Sequence, residues 1–416
     1  MNIFKKADIL IPQNVDFSKW SVVACDQYTS EPDYWEDVKN ISKDSPSTLN
    51  IVFPEVYLSE GEGRIEKINK TMEKYITDGI FKELKNSLVY VERTIGNGKI
   101  RHGIVGMIDL EEYDFKKGSG SYVRATEGTV LERIPPRVKI RENAKLELPH
   151  VMILIDDRTK TIVEGLSSKK ENFEKIYDFD LMKNGGHIVG YKISDDEADL
   201  VISSMDILEK EYSNKYTDNT DSRLIFAVGD GNHSLATAKT CWENLKKTLS
   251  SEEQKNHPAR YALCEIVNLN DESLEFEPIH RILFNVDEEK FYNELEAYYD
   301  ISYSDNGGQK FLAVSENGEK EIYVNNPSSN LAVGTLQNFL DDYIKKNGGE
   351  VDYIHGDDVT KRLGTKKGNM GFLLPVMKKN ELFITVIKDG ALPRKTFSMG
   401  EAHEKRFYLE AKRITK

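Results

Sequence analysis

The chain has 416 residues, 39% of them hydrophobic and 31% charged, and carries a formal net charge of −13. That length supports two or three domains with sizeable cores, and the composition is that of an ordinary globular protein. The negative balance argues against broad contact with nucleic acid or an anionic membrane, both of which need a basic face. The three cysteines, Cys25, Cys241 and Cys264, lie far apart and form no CxxC pair, so neither a disulfide framework nor a zinc knuckle is expected. The N-terminal stretch is too short and polar for a signal peptide, and no apolar run reaches spanning length, so a cytoplasmic location is expected.

In chain order, WSVVAC (20–25) predicts a short strand, and Ser30-Glu31-Pro32 a helix start with proline in the first turn. Ile65, Ile68, Met72, Tyr75 and Ile76 have helical spacing within residues 64–86. Residues 87–110 predict a hairpin about the Gly-Asn-Gly turn at 96–98. A charged connecting segment broken by Pro135-Pro136 follows, and then VMILIDD (151–157), a strand apolar enough to be buried on both faces. After an amphipathic stretch at 196–212 come a strand-turn-helix at 223–248 and a strand at 261–271. Beyond 277–286 the pattern restarts, with a helix, a hairpin about Glu316-Asn317-Gly318, another helix, a strand and a lysine-rich tail that reads as surface. Alternating strands and helices predict a mixed α/β (α+β) architecture, with a soft boundary near 285 that divides 1–285 from 286–416.

The stretch IFAVGDGNHSLATAK (225–239) carries most of the chemistry. A buried strand ends at Val228, Gly229 and Gly231 allow a sharp turn, and Leu235, Ala238, Trp242 and Leu245 form one helix face. The N–H groups of Asn232, His233 and Ser234 then lie at a helix N-terminus, where unpaired donors and the helix dipole attract phosphate. His233 could add a hydrogen bond, and Asp230 could hold Mg²⁺. Spacing alone also allows Asp230 or Asn232 simply to cap the helix. The stretch is neither a Walker A loop nor a dinucleotide fingerprint.

Other candidates are Glu127 within RATEGTVLERIPPRVKIREN (124–143), a carboxylate followed by Arg133, Arg137, Lys139 and Arg141; Asp26, where a strand hands over to a helix; the pair His280-Arg281; and Lys395 after Pro393. Hydrolase triads are poorly supported, because no GxSxG elbow is present and no cysteine lies in an electropositive motif.

The ordered segments VVACDQY, GIVGMIDLEEY, RATEGTVLERIPPR, AVGDGNHSLATA, VNLNDESLEFEPIHRIL, YIHGDD, GFLLPVM and LPRKTF together resemble the DUF1015 family of bacterial and archaeal proteins. Its central signature, Ala-Asp-Gly-His-His-Arg, is matched here by Asp230, Gly231 and His233, with Asn232 for the first His and Ser234 for the Arg. Its later Pro-Thr-His-Arg is matched by Pro278, His280 and Arg281, and its proline-lysine element by Pro393 and Lys395. The central signature in turn resembles the phosphate-binding element of ParB-like nucleotide-binding domains, which include free-serine kinases. The resemblance implies a ParB/serine-kinase-like core with large insertions and a C-terminal α+β domain. It also implies a phosphotransferase that uses ATP or ADP with Mg²⁺ on a small hydroxyl-bearing metabolite. In that reading the 229–234 turn, His280, Arg281 and Lys395 hold the nucleotide, Asp230 helps to place the metal, and Asp26 or Glu127 acts as base with His233 nearby. A nucleotide-binding switch without turnover, or a metal-assisted hydrolase built on Asp26, Glu127 and Asp230, remain open at this stage.

Overall fold

Alternating apolar residues along the central strands let one sheet carry a core on each face, and this organises the larger part of the molecule. The computed structural model describes residues 3–215 and 223–416. They adopt the mixed α/β class and divide into two compact units, Met1–Leu274 together with Gly400–Lys416, and Glu275–Met399. Strand Phe276–Phe284 pairs inside the second unit and residues 400–416 return to the first, a different division from one near 285.

The first unit is built on a ten-stranded sheet: β1 (Phe4–Lys5), β2 (Val89–Thr94), β3 (Ile100–Asp109), β4 (Tyr113–Asp114), β5 (Val123–Ala125), β6 (Met152–Ile155), β7 (Glu174–Asp180), β8 (His187–Lys192), β9 (Phe226–Asp230) and β10 (Tyr261–Asn268). Its order is β7-β8-β2-β3-β10-β6-β9-β5-β4, with β1 alongside β3. Val89, Val91, Val105 and Leu263 point into a core containing Trp20 and Trp35. Leu88, Tyr90, Ile104, Ile153, Ile155, Val228 and Cys264 point into another containing Trp242. Period-two alternation on a doubly covered sheet produces this division.

Helix α1 (Pro32–Ile41) begins at the expected proline, and α2 (Gly61–Thr77) buries Ile68, Met72 and Tyr75. The helical run stops before 86, because Gly79 adopts φ +69° and Phe81–Ser87 pairs with Ala7–Pro12. Pro135 and Pro136 do not break the connecting segment but open helix α3 (Ile134–Arg141), where their missing N–H groups leave no bond unmade. Helix α4 (Asn232–Lys246) follows β9 and buries Leu235, Ala236, Ala238 and Trp242.

The tail is not a lysine-rich surface. Phe407–Tyr408 pairs with Val22–Val23, Lys412–Arg413 pairs with Leu146–Glu147, and Phe407, Tyr408, Leu409, Glu410, Ala411 and Lys412 are all buried. Apolar positions between the charges outweighed them. Lys412 is neutralised by Glu147 at 3.2 Å, while Arg406 pairs with Glu265 and, at 2.5 Å, with Glu410.

The second unit is a seven-stranded antiparallel sheet of β11 (Phe276–Phe284), β12 (Ile301–Ser302), β13 (Gln309–Ser315), β14 (Gly318–Val324), β15 (Glu350–His355), β16 (Asn369–Leu373) and β17 (Phe397–Met399). Its order is β12-β14-β13-β16-β11-β15, with β17 on β11, and helix α5 (Ala332–Asn347) contributes the buried Leu336, Phe339 and Leu340. Among the described residues no helix is long and apolar enough to cross a membrane.

Replacing Phe407 by Ala removes a buried ring that covers the Arg93 guanidinium at 4.9 Å. We expect a loss of about 3–5 kcal/mol in the first unit's chemical-denaturation stability. A negligible shift in the unfolding midpoint would show that the returning segment is peripheral.

Candidate functional site

Strand pairing, rather than sequence proximity, assembles the site in the first unit. Parallel β5 and β9 run in register (Val123 beside Phe226, Ala125 beside Val228), so the loop from Thr126 and the turn from Asp230 leave the sheet at the same end. Thr126 Oγ1 fastens the two by donating to the Val228 carbonyl at 2.7 Å. On the other side of β9, Met152 lies opposite Asp230 in the antiparallel β6, which brings the preceding His150 to the turn.

The turn requires glycine at 231. Its φ is +83°, and a Cβ there would stand 3.0 Å from Val151 Cα and 3.2 Å from His150 Cδ2. Gly231 is the N-cap of α4 and supplies no side-chain acceptor, so neither Asp230 nor Asn232 caps the helix in the ordinary way. Asp230 instead accepts from Gly231 N–H at 2.9 Å through Oδ1, and its Oδ2 faces Lys405 Nζ at 3.3 Å. The first N–H groups of α4 are thus left without a side-chain cap. Asn232 Oδ1 and, in the neighbouring loop, Thr129 Oγ1 are buried polar atoms with no hydrogen-bond partner in the structure.

His233 folds towards that loop, where its Nε2 accepts from Val130 N–H at 3.2 Å. Burial, and then the charges of Arg137 and Arg133, push its pKa below the ordinary imidazole value, with Asp26 opposing them. A neutral ring with Nε2 as acceptor carries its proton on Nδ1. Arg137 pairs with Glu55 and donates to the Arg133 carbonyl at 2.8 Å. Glu127 is half-buried in the same loop.

Asp26 belongs to this cluster. Burial works to raise its pKa, but His150, a 3.0 Å hydrogen bond from Gln27 and the charge of Lys405 outweigh it and hold the carboxyl below its usual range. His150 is buried between two hydroxyls: Nε2 lies 2.8 Å from Ser234 Oγ, and Nδ1 lies 2.9 Å from Tyr408 OH. Tyr408 OH also accepts from Cys25 N–H at 3.2 Å. Burial pushes the Cys25 thiol up to about 12, so it is an inert part of this wall.

The first unit therefore brings together Asp26, Asp230, Asn232, His233 and Ser234, beside the loop that holds Glu127. Three participants escaped the sequence reading: His150, Lys405 and Tyr408. Nothing in local spacing marks them, since His150 ends a connecting segment and the other two lie in the tail. His280, Arg281 and Lys395 lie in the second unit. There His280 Nε2 contacts Asp357 Oδ1 at 2.8 Å and its Nδ1 accepts from Leu374 N–H at 3.1 Å. Arg281 is fully buried and donates to Gln337 Oε1 and to the carbonyls of Ile279, Arg394 and Lys395. The Lys395 side chain is exposed on a backbone with φ +55°.

A model of the family described as a protein of unknown function, DUF1015, matches residues 9–343. The chain belongs to the DUF1015 family. No curated protein matches this DUF1015 sequence. Among solved structures it is similar to variants of a free serine kinase, one in complex with AMP (10% identity, 74% of this chain and 91% of that chain, TM-score 0.38) and one with ADP (10%, 76% and 93%, TM-score 0.38). It is also similar to a conserved hypothetical protein from Pyrococcus furiosus (12%, 74% and 94%, TM-score 0.34).

Because the folded pKa of His233 is lowered, its neutral form stabilises this DUF1015 protein fully above the unfolded imidazole's pKa of about 6.5, and that contribution is lost as pH falls through the lower folded value. Arg133→Gln removes one of the depressing charges, so an NMR titration is expected to show the His233 pKa moving up. An unchanged pKa would remove Arg133 from the site's electrostatics.

Proposed function

We propose that the Gly229–Ser234 turn binds the phosphates of a nucleotide, and that the protein transfers a phosphoryl group to the hydroxyl of a small metabolite. One observation carries this: the helix following a strand opens on a left-handed glycine and has no side-chain cap, with Lys405 against Asp230 and the charges of Arg137 and Arg133 felt at His233. Uncapped N–H groups, the positive end of the helix dipole and nearby cations together suit a polyanion.

In this reading the N–H groups of Asn232, His233 and Ser234 receive phosphate oxygens, and neutral His233 offers its Nδ1–H. Lys405 offsets charge from the tail side while Asp230 holds both the turn and the lysine. Asp26, kept ionised beside His150, takes the proton of the acceptor hydroxyl. Phosphoryl transfer is largely a matter of positioning and electrostatics, which such an arrangement can supply. The chain's own side chains do not fit a protein-held Mg²⁺. Asp230 is committed to Gly231 N–H and Lys405, and among the described residues no three His, Cys, Asp or Glu groups converge as ligands. For the same reason a metal-assisted hydrolase is not favoured.

Calorimetric titration with ADP and ATP tests the binding half. One molecule should bind per chain, and Lys405→Ala should weaken affinity about tenfold, roughly 1.4 kcal/mol. Absence of binding by either nucleotide would sink the proposal. With a pool of hydroxyl metabolites, Asp26→Asn should abolish product while leaving nucleotide binding in place; binding without any product from the native protein would make it a nucleotide-binding switch instead.

A further inference from the structure

The Ser234 hydroxyl stands in the geometry of an activated nucleophile. Ser234 Oγ and His150 Nε2 are 2.8 Å apart, within reach for direct proton transfer. His150 is 7% exposed and Tyr408 3%, so the base and its orienting partner are fixed by packing rather than by solvent. The donors at Tyr408 can be assigned consistently. Its oxygen accepts from Cys25 N–H at 3.2 Å and, in the His150 tautomer with the proton on Nδ1, also from His150 Nδ1–H. His150 then presents the Nε2 lone pair to Ser234. Asp26 lies close enough for its carboxylate to respond to a charge on His150, so it would stabilise the imidazolium formed when the ring takes a proton.

We propose that Ser234 and His150 are a nucleophile–base pair through which the phosphoryl group passes covalently. The substrate class rests on the nucleotide reading above; the activated serine does not. In the first step Ser234 Oγ attacks the terminal phosphorus of a nucleoside triphosphate. The Oγ–P bond forms, the bridging P–O bond breaks, its electron pair leaves on the nucleoside diphosphate, and the hydroxyl proton passes to His150 Nε2. In the second step the acceptor hydroxyl attacks the phosphoserine phosphorus and gives its proton to Asp26. The Oγ–P bond breaks, and His150 Nε2 returns its proton to Ser234 Oγ. The N–H groups of Asn232 and His233 flank the phosphorus and stabilise the charge that develops on its oxygens.

Two probes applied to the full chain separate this proposal from nucleotide binding. Incubation with ATP, followed by peptide mass analysis, should place one acid-stable phosphoryl group on Ser234. A small dialkyl fluorophosphate should modify the same Oγ, with fluoride as leaving group and His150 again taking the proton. Ser234→Ala should lose both labels, and Ser234→Cys should regain fluorophosphate reactivity. His150→Gln should slow labelling by about 100-fold or more. Fluorophosphate labelling without ADP binding supports the activated serine and removes the nucleotide donor. ADP binding by a protein that neither reagent labels overturns the nucleophile and leaves the nucleotide reading intact. Labelling that persists in His150→Gln at the native rate overturns the role of the base.

Discussion

The antiparallel pairing of Val22–Val23 with Phe407–Tyr408 is the constraint on which the first unit's site depends. It joins the two ends of the chain across a loop of several hundred residues, and the entropic cost of such a closure grows only slowly with length. Arg406, next to the paired strand, anchors the closure. Burial would lower its pKa, but Glu265 and Glu410 outweigh that and hold it raised. Its Nε donates to the Pro149 carbonyl at 3.1 Å, one residue from His150. A buried guanidinium with two carboxylates contributes little net stability over an apolar core, but removing one partner leaves an uncompensated charge. These contacts hold the returning segment against Pro149, Glu265 and Glu410, and its register decides which side chains meet the glycine turn.

From that register follow Lys405 against Asp230, Tyr408 against His150, and Asp26 emerging from the partner strand beside them. One of the two cores holds both ends of the turn. Val228 and Leu235, on either side of it, are fully buried in the same cluster as Trp242, so β9 and α4 cannot shift independently. The left-handed Gly231 is the one backbone conformation that connects them while leaving room for His150 and Val151.

Periodicity made much of this legible in the sequence. The hairpin at 89–109, the buried strands at 152–155 and 261–268, the helix start at Pro32 and the strand-turn-helix at 226–246 all follow from local apolar spacing and turn chemistry. The Asp-Gly-Asn-His-Ser turn was likewise visible, because its glycines and polar residues are contiguous. Two things were not. The tail read as surface because of its lysines and arginines, although Phe407, Tyr408, Leu409 and Ala411 lie among them and are buried. His150 stood alone in sequence, and only the pairing of β6 with β9 brings it to Ser234 across 84 residues. Long-range pairing of this kind leaves no local trace. The motif His280-Arg281 shows the converse: it is conspicuous in sequence, yet within its own unit its donors and acceptors are engaged with Asp357, Leu374, Gln337 and backbone carbonyls.

The central claim is that the uncapped first turn of α4 receives the phosphates of a nucleotide. Hydrogen exchange at the amides of Asn232, His233 and Ser234 addresses it most directly, since those N–H groups lack intrahelical partners. On saturation with ADP, exchange at these three amides should slow by at least about tenfold, while the interior amides of α4 change little. Unchanged exchange at all three under conditions where ADP is bound would contradict the account and place the nucleotide elsewhere.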